Sequence, residues 1–175
     1  MKRFEPTSHL PNPYKVKIDM KAPMDKVDQG ILLPHQTINS IYERYQEAWS
    51  SSILPSKTKL NEFWQSVRGH PQMEGHPAVS VPGYDECFIP LAVHGDGVPI
   101  VGVGKIWSRT MTMFSFYSLV GEGWTQDLLF YIWSSYDKLI LGNLSQFFAV
   151  LKWSFLALYH GKWPDRDHAG KLFLG

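Results

Sequence analysis

The chain has 175 residues, 44% hydrophobic and 19% charged, the composition of a folded domain with a real core and not of a disordered polymer. Its 17 basic and 16 acidic residues leave a formal charge of +1, which excludes a strongly basic nucleic-acid binder and leaves room only for a local patch. The single cysteine, Cys87, excludes an internal disulfide and any cysteine-rich zinc site.

Residues 1–34 begin MKRFEPTSHLPNPYK, without an apolar run of signal-peptide type, so an intracellular location is expected. Their prolines and charges read as an extended arm. Residues 35–80 read as a helical pair. In TINSIYERYQEAW, Ile38, Ile41, Tyr42, Tyr45, Ala48 and Trp49 share one face, with Thr37 as the expected cap. In SKTKLNEFWQSV, Ser56 can cap, and Leu60, Phe63, Trp64 and Val67 repeat the spacing. The segment RGHPQMEGHPAVSVPGYD ends the pair in loop chemistry.

From residue 84 onward an α/β domain is expected. CFIPLAVHGD, apolar on both faces, reads as an interior strand, although Pro90 argues for an edge or a strand start. GDGVPIVGVGK must turn, and TMTMFSFYSLV alternates as a second strand, with Thr110, Thr112, Phe114 and Phe116 on one face. Two helices then close the chain. TQDLLFYIWSSYDKLIL has Leu128, Ile132, Tyr136 and Ile140 in helical register behind Thr125. NLSQFFAVLKWSFLALYH carries Leu144, Phe147, Phe148, Leu151, Phe155 and Leu158 behind Asn143. Gly142, Asn143, Gln146 and Lys152 interrupt this most lipid-like segment, which therefore reads as a buried or interfacial helix and not as a membrane span. No internal repeat is expected.

The candidate chemistry centres on His94 and Asp96 in HGDG. A carboxylate where a strand ends is well placed to hold a divalent ion, and flanking glycines admit water, metal or phosphate. Two residues apart on a strand, His94 and Asp96 point to the same side and can form a ligand pair. Asp-Gly is equally a common turn dipeptide, and on spacing alone the turn reading leads. Lys105 and Arg109, beside the glycine loop, can contact phosphate or simply keep the loop soluble. The glycines fit neither dinucleotide nor P-loop spacing, and the scattered histidines form no zinc motif. Asp165 and Asp167 in WPDRDHAGK read as a solvated turn.

The succession ILLPHQ, ILPSKTKLNEFW, GHPAV, FIPLAVHGDGVPIVGVGKIWSRTMTMFSFYSLVGEG and LKWSFLALYHGKWPDRDHAGKLF resembles an uncharacterised, repetitive protein family of dinoflagellate algae, over roughly residues 25–175. That family in turn resembles fragments of mobile elements that encode transposases of RNase-H-like fold. The resemblance implies an α/β (α+β) chain, with a helical N-terminal module before a partial RNase-H-like strand–loop–strand and two C-terminal helices. In that fold an aspartate on the first strand joins later carboxylates to hold two divalent ions, Mg or Mn, which activate water. Asp96 matches the first aspartate, with His94 as its neighbour, and the implied partner is DNA in the nucleus. The later carboxylates are missing here: Asp127 and Asp137 come too early, and the sequence ends within a loop, LFLG, where longer relatives are expected to continue. The expectation is therefore a transposase-like fragment, inactive by itself. The alternative is a non-catalytic protein- or nucleic-acid-binding module that uses its aromatic helical faces and in which Asp96 is only a turn.

Overall fold

The computed structural model describes residues 11–21, 25–99, 110–136 and 144–173. In chain order these form strands β1 (Tyr14–Asp19) and β2 (Lys26–Ile31), helix α1 (Pro34–Arg44), a short helix α2 (Gln46–Ala48), a π turn (Trp49–Ile53) and helix α3 (Lys57–Ser66). Two 3-10 turns (Pro71–Met73 and Pro77–Ser80) and α4 (Tyr84–Cys87) lead into β3 (Leu91–Pro99). Then come β4 (Thr110–Ser118), α5 (Thr125–Leu128), β5 (Phe130–Tyr136) and α6 (Ser145–His160). The class is α+β: a two-stranded sheet, β1-β2, and a three-stranded sheet in the order β3-β4-β5, together with helices. The chain divides into two compact units, one of Met1–Ser40, Gly95–Ser115 and Tyr131–Gly175, the other of Ile41–His94 and Phe116–Phe130.

In the first unit, the stretch read as an extended arm contains a hairpin. YKVKID alternates with period two, so Val16 and Ile18 are buried while Lys15 and Lys17 face water. The antiparallel register sets Tyr14 opposite Ile31 and Lys17 opposite Asp28. The Leu32 amide, just past β2, donates to the Ile132 carbonyl of β5 at 2.9 Å. Proline and charge density had hidden six residues of plain strand pattern. Helix α1 starts at Pro34, where a missing N–H costs nothing, and not at Thr37. The Thr37 amide already donates to Leu33 O at 2.9 Å, and its side chain is buried.

As far as Tyr136, the segment read as the first closing helix is instead the short α5 followed by β5, and its last residues, 137–141, lie outside the described residues. Phe130, Tyr131, Ile132 and Trp133 are the aromatic and β-branched types that a pleated, half-buried surface favours, and β4 supplies the neighbour. Ile132 and Trp133 point to opposite faces and both are buried. Trp133 stacks on Phe147 of α6 at 5.0 Å, and Phe147 meets Phe114 of β4 at 4.7 Å. With Ile18, Ile31, Leu33, Val150 and Leu151 they make the core of this unit. The last helix is as expected over Ser145–His160, while Asn143, its expected cap, lies outside the described residues.

In the second unit, Ile53, Leu60, Trp64, Ala78 and Phe116 are buried, and Trp64 Nε1 donates to the Phe88 carbonyl at 2.8 Å. The serines of WSSSI bend the chain: Ser50 Oγ and Ser51 Oγ donate to the Gln46 and Glu47 carbonyls at 2.8 Å, competing with the helical ladder where it widens into the π turn. Ser56 caps α3 as its sequence implies, accepting the Lys59 amide at 3.1 Å. Ser56→Ala is expected to cost about 1 kcal/mol, measured as a shift in the urea midpoint without a change in slope.

Candidate functional site

His94 and Asp96 both lie within β3, an outer strand of its sheet, and both are exposed. The interior strand expected here is therefore an edge, as Pro90 warned. Cross-strand packing explains the glycines around Asp96. A Cβ on Gly95 would come within 2.8 Å of the Phe114 ring, and one on Gly97 within 3.0 Å of Thr110 Cγ2. The small residues leave room for β4 side chains, so their presence needs no ligand. Among the described residues, no three of His, Cys, Asp and Glu come together as metal ligands. Lys105 and Arg109 lie outside the described residues.

A hydrogen-bonded polar cluster lies elsewhere, in the first unit, where the C-terminal strap 161–173 meets β1. The Tyr14 hydroxyl donates to Asp167 Oδ2 at 3.0 Å across 153 residues of sequence. Its one proton is thereby used, so its oxygen accepts from His168 Nδ1, also at 3.0 Å. Asp167 Oδ1 receives the Ala169 and Lys171 amides, each at 2.9 Å, an Asx turn that fixes the carboxylate before any ligand arrives. Burial draws the Asp167 carboxyl upward. The Lys171 and Ala169 amides, the Tyr14 hydroxyl and nearby His168 outweigh this and hold it below its usual value. Tyr14 is pushed up to about 12 by burial first, then by its hydrogen bond to Asp167 and that group's charge.

Behind this cluster lies His35. Ser154 Oγ accepts the His35 amide at 3.2 Å and makes a second hydrogen bond, 2.8 Å long, with the ring Nδ1. The rings of Trp153, Trp163 and Phe173 surround the imidazole edge-on at 5.2, 5.1 and 6.0 Å. Burial lowers its pKa to about 4, so the ring is neutral. A serine beside a histidine is a nucleophile–base pair in outline, but Ser154 is 0% exposed and His35 4%, out of reach of any substrate. Their task is structural: Ser154 satisfies an amide in the first turn of α1, which no helical carbonyl can reach.

The hairpin, the start of α6 and the strap enclose an open groove of about 690 Å³. Tyr14, Lys15, Lys17, Asp167, His168 and Lys171 are among its lining residues. Asp167, read from the sequence as a solvated turn residue, is thus both the corner of a turn and a fixed part of a wall. The Asx spacing of D-H-A was its legible signal, whereas the tie to Tyr14 was not.

The second unit holds a smaller, largely apolar hollow of about 340 Å³ formed by Trp64, Val67, Met73, Val79 and Tyr84 under Arg68 and Glu74. One wall is a turn made twice, from GHPQM and GHPAV. Gly69 and Gly75 take φ of +82° and +69°, and His70 and His76 then accept the Gln72 and Ala78 amides on Nδ1 at 3.3 and 3.2 Å. A proline opens each 3-10 turn. This doubled Gly-His-Pro motif is a short internal repeat where none was expected, visible as six-residue spacing in the sequence.

Comparison with protein-family models, with curated proteins and with solved structures found no match to this chain. Among the described residues, no helix is long and apolar enough to cross a membrane.

Proposed function

We propose that the chain is a non-catalytic binding module, descended from a mobile-element protein, whose binding face is the groove of the first unit. One observation carries this reading: residues from the two ends of the chain, Tyr14 and Asp167 with His168, are locked together by hydrogen bonds into a pre-formed wall. Such fixed geometry lowers the ordering cost of binding. In this reading Asp96 is a strand residue that carries no metal, and Lys105 and Arg109 have no assigned part. The exposed Phe148, Leu156 and Tyr159 of α6 offer apolar surface to a protein partner.

A second reading is the transposase-like one, an RNase-H-like nuclease remnant acting on DNA in the nucleus with Mg or Mn at Asp96 and His94. The position of Asp96 on the first of three sequential, neighbouring strands favours it. Thermal unfolding of the whole chain in rising manganese, for wild type and Asp96→Ala, separates the two. The binding-module reading expects both proteins to respond alike. A midpoint that rises with manganese in the wild type and stays flat in Asp96→Ala would transfer support to the nuclease remnant.

A further inference from the structure

We propose that the groove binds single-stranded nucleic acid, with Lys15, Lys17 and Lys171 holding phosphates and Tyr14 and His168 offering ring surface to a base. This rests on the reading of the groove as the binding face and names its partner. The lysines reach the groove for independent structural reasons. Lys15 and Lys17 lie on the outward side of β1 because Val16 and Ile18 fill the inward side. Lys171 is placed by the Asx turn, since its own amide is bound by Asp167.

Among the described residues, no ion pair neutralises any of these three lysines, whereas Lys26 is paired with Asp19 and Lys59 with Glu122. Opposing charge in the groove comes from Asp28 and Asp167. Asp28 stands opposite Lys17 in the hairpin register, and the Asp167 oxygens are already engaged by two amides and the Tyr14 hydroxyl.

Spacing favours a polyanion over a single anion. Residues two apart on a strand are separated by about 7 Å, roughly the distance between successive phosphates of an extended strand. Lysines interleaved with rings are the usual means of holding single strands without regard to sequence. The near-neutral chain as a whole is no obstacle, because the affinity needs only a local patch.

The test is fluorescence anisotropy of the full chain with a labelled oligothymidylate across a salt series, and with a labelled polyglutamate peptide as the second arm. The expected result is salt-sensitive binding of the oligothymidylate. Replacing Lys15, Lys17 and Lys171 together by Gln should weaken it about tenfold and flatten the log–log salt dependence by about two, at roughly 0.7 per phosphate contact. A control with the exposed Lys57, Lys152 and Lys162 replaced by Gln should leave both quantities unchanged. Circular dichroism confirms that both variants stay folded. Equal loss in the control, or no oligothymidylate binding at all, would overturn the proposal. Tighter capture of polyglutamate through the same lysines would also overturn it, yet leave the binding-module reading standing. The manganese experiment decides that reading separately.

Discussion

Trp133→Ala is expected to lower the stability of the chain by about 4 kcal/mol, the largest effect of any single truncation considered. Trp133 is 1% exposed, stacked on Phe147 at 5.0 Å and on Phe114 at 6.2 Å, and its indole N–H donates to Gln29 Oε1 at 3.2 Å. Truncation removes the transfer free energy of the ring and opens a void that strand, helix and hairpin cannot all close at once. It also strips Gln29 of its donor. Trp124 is the natural comparison: at 80% exposed, its change to alanine should move stability by less than about 0.5 kcal/mol. Urea unfolding of the two variants checks both values. A cost for Trp133 no larger than that for Trp124 would contradict the packing of β5 against α6.

Acid should loosen the same unit through His35. Its folded pKa of about 4 lies below the ordinary 6.5, so between those values the unfolded chain takes up a proton that the folded chain refuses. The contribution is fully present above about pH 6.5, falls as pH drops through the window, and stops changing below about pH 4. Its size is about 3 kcal/mol, from some 1.4 kcal/mol per unit of pKa difference. The groups facing the ring are Ser154, Trp153, Trp163 and Phe173, none of which offers a counter-charge. His35→Gln should be less stable than wild type at pH 7.

The difference between the two proteins should shrink toward pH 4, because only the wild type loses the histidine contribution. Urea midpoints at a series of pH values measure it, and a constant gap would show that His35 is neutral in neither or both states. Trp163 and Phe173 belong to the strap that also carries Asp167, His168 and Lys171. Protonation of His35 therefore works against the groove wall as well as against the fold.

Those two effects involve the parts of the molecule least visible in its sequence. Where the determining interactions are local, the sequence was sufficient. Ser56 stands before an amphipathic run and caps it through an amide three residues on. The alternation of TMTMFSFYSLV becomes β4, and the apolar run after residue 144 becomes α6. In each case the hydrogen bonds or the periodic face belong to one short segment, so the code is complete within it. Asp-Gly was different: its spacing favoured a turn, but Asp96 lies inside β3, which runs to Pro99, and the glycines beside it are explained by the Phe114 ring and the Thr110 methyl one strand away.

Segments whose state depends on a distant neighbour were not decided in this way. FYIWSSY satisfies helical spacing at Ile132 and Tyr136, while its aromatic and β-branched residues equally suit a strand buried on both faces. A helix needs only its own chain, whereas a strand needs a partner, and β4 is that partner. YKVKID looked like an arm until Lys26–Ile31 paired with it. The groove depends on this most of all: Tyr14 and Asp167 are 153 positions apart, and neither has a local feature that names the other. The sequence by itself determined composition class, caps and amphipathic faces, because these are set by residues within a turn or two of one another. Only the tertiary structure decided which lysines share a groove, why His35 is neutral and where β5 lies, because burial and long-range hydrogen bonds exist only once remote segments have met.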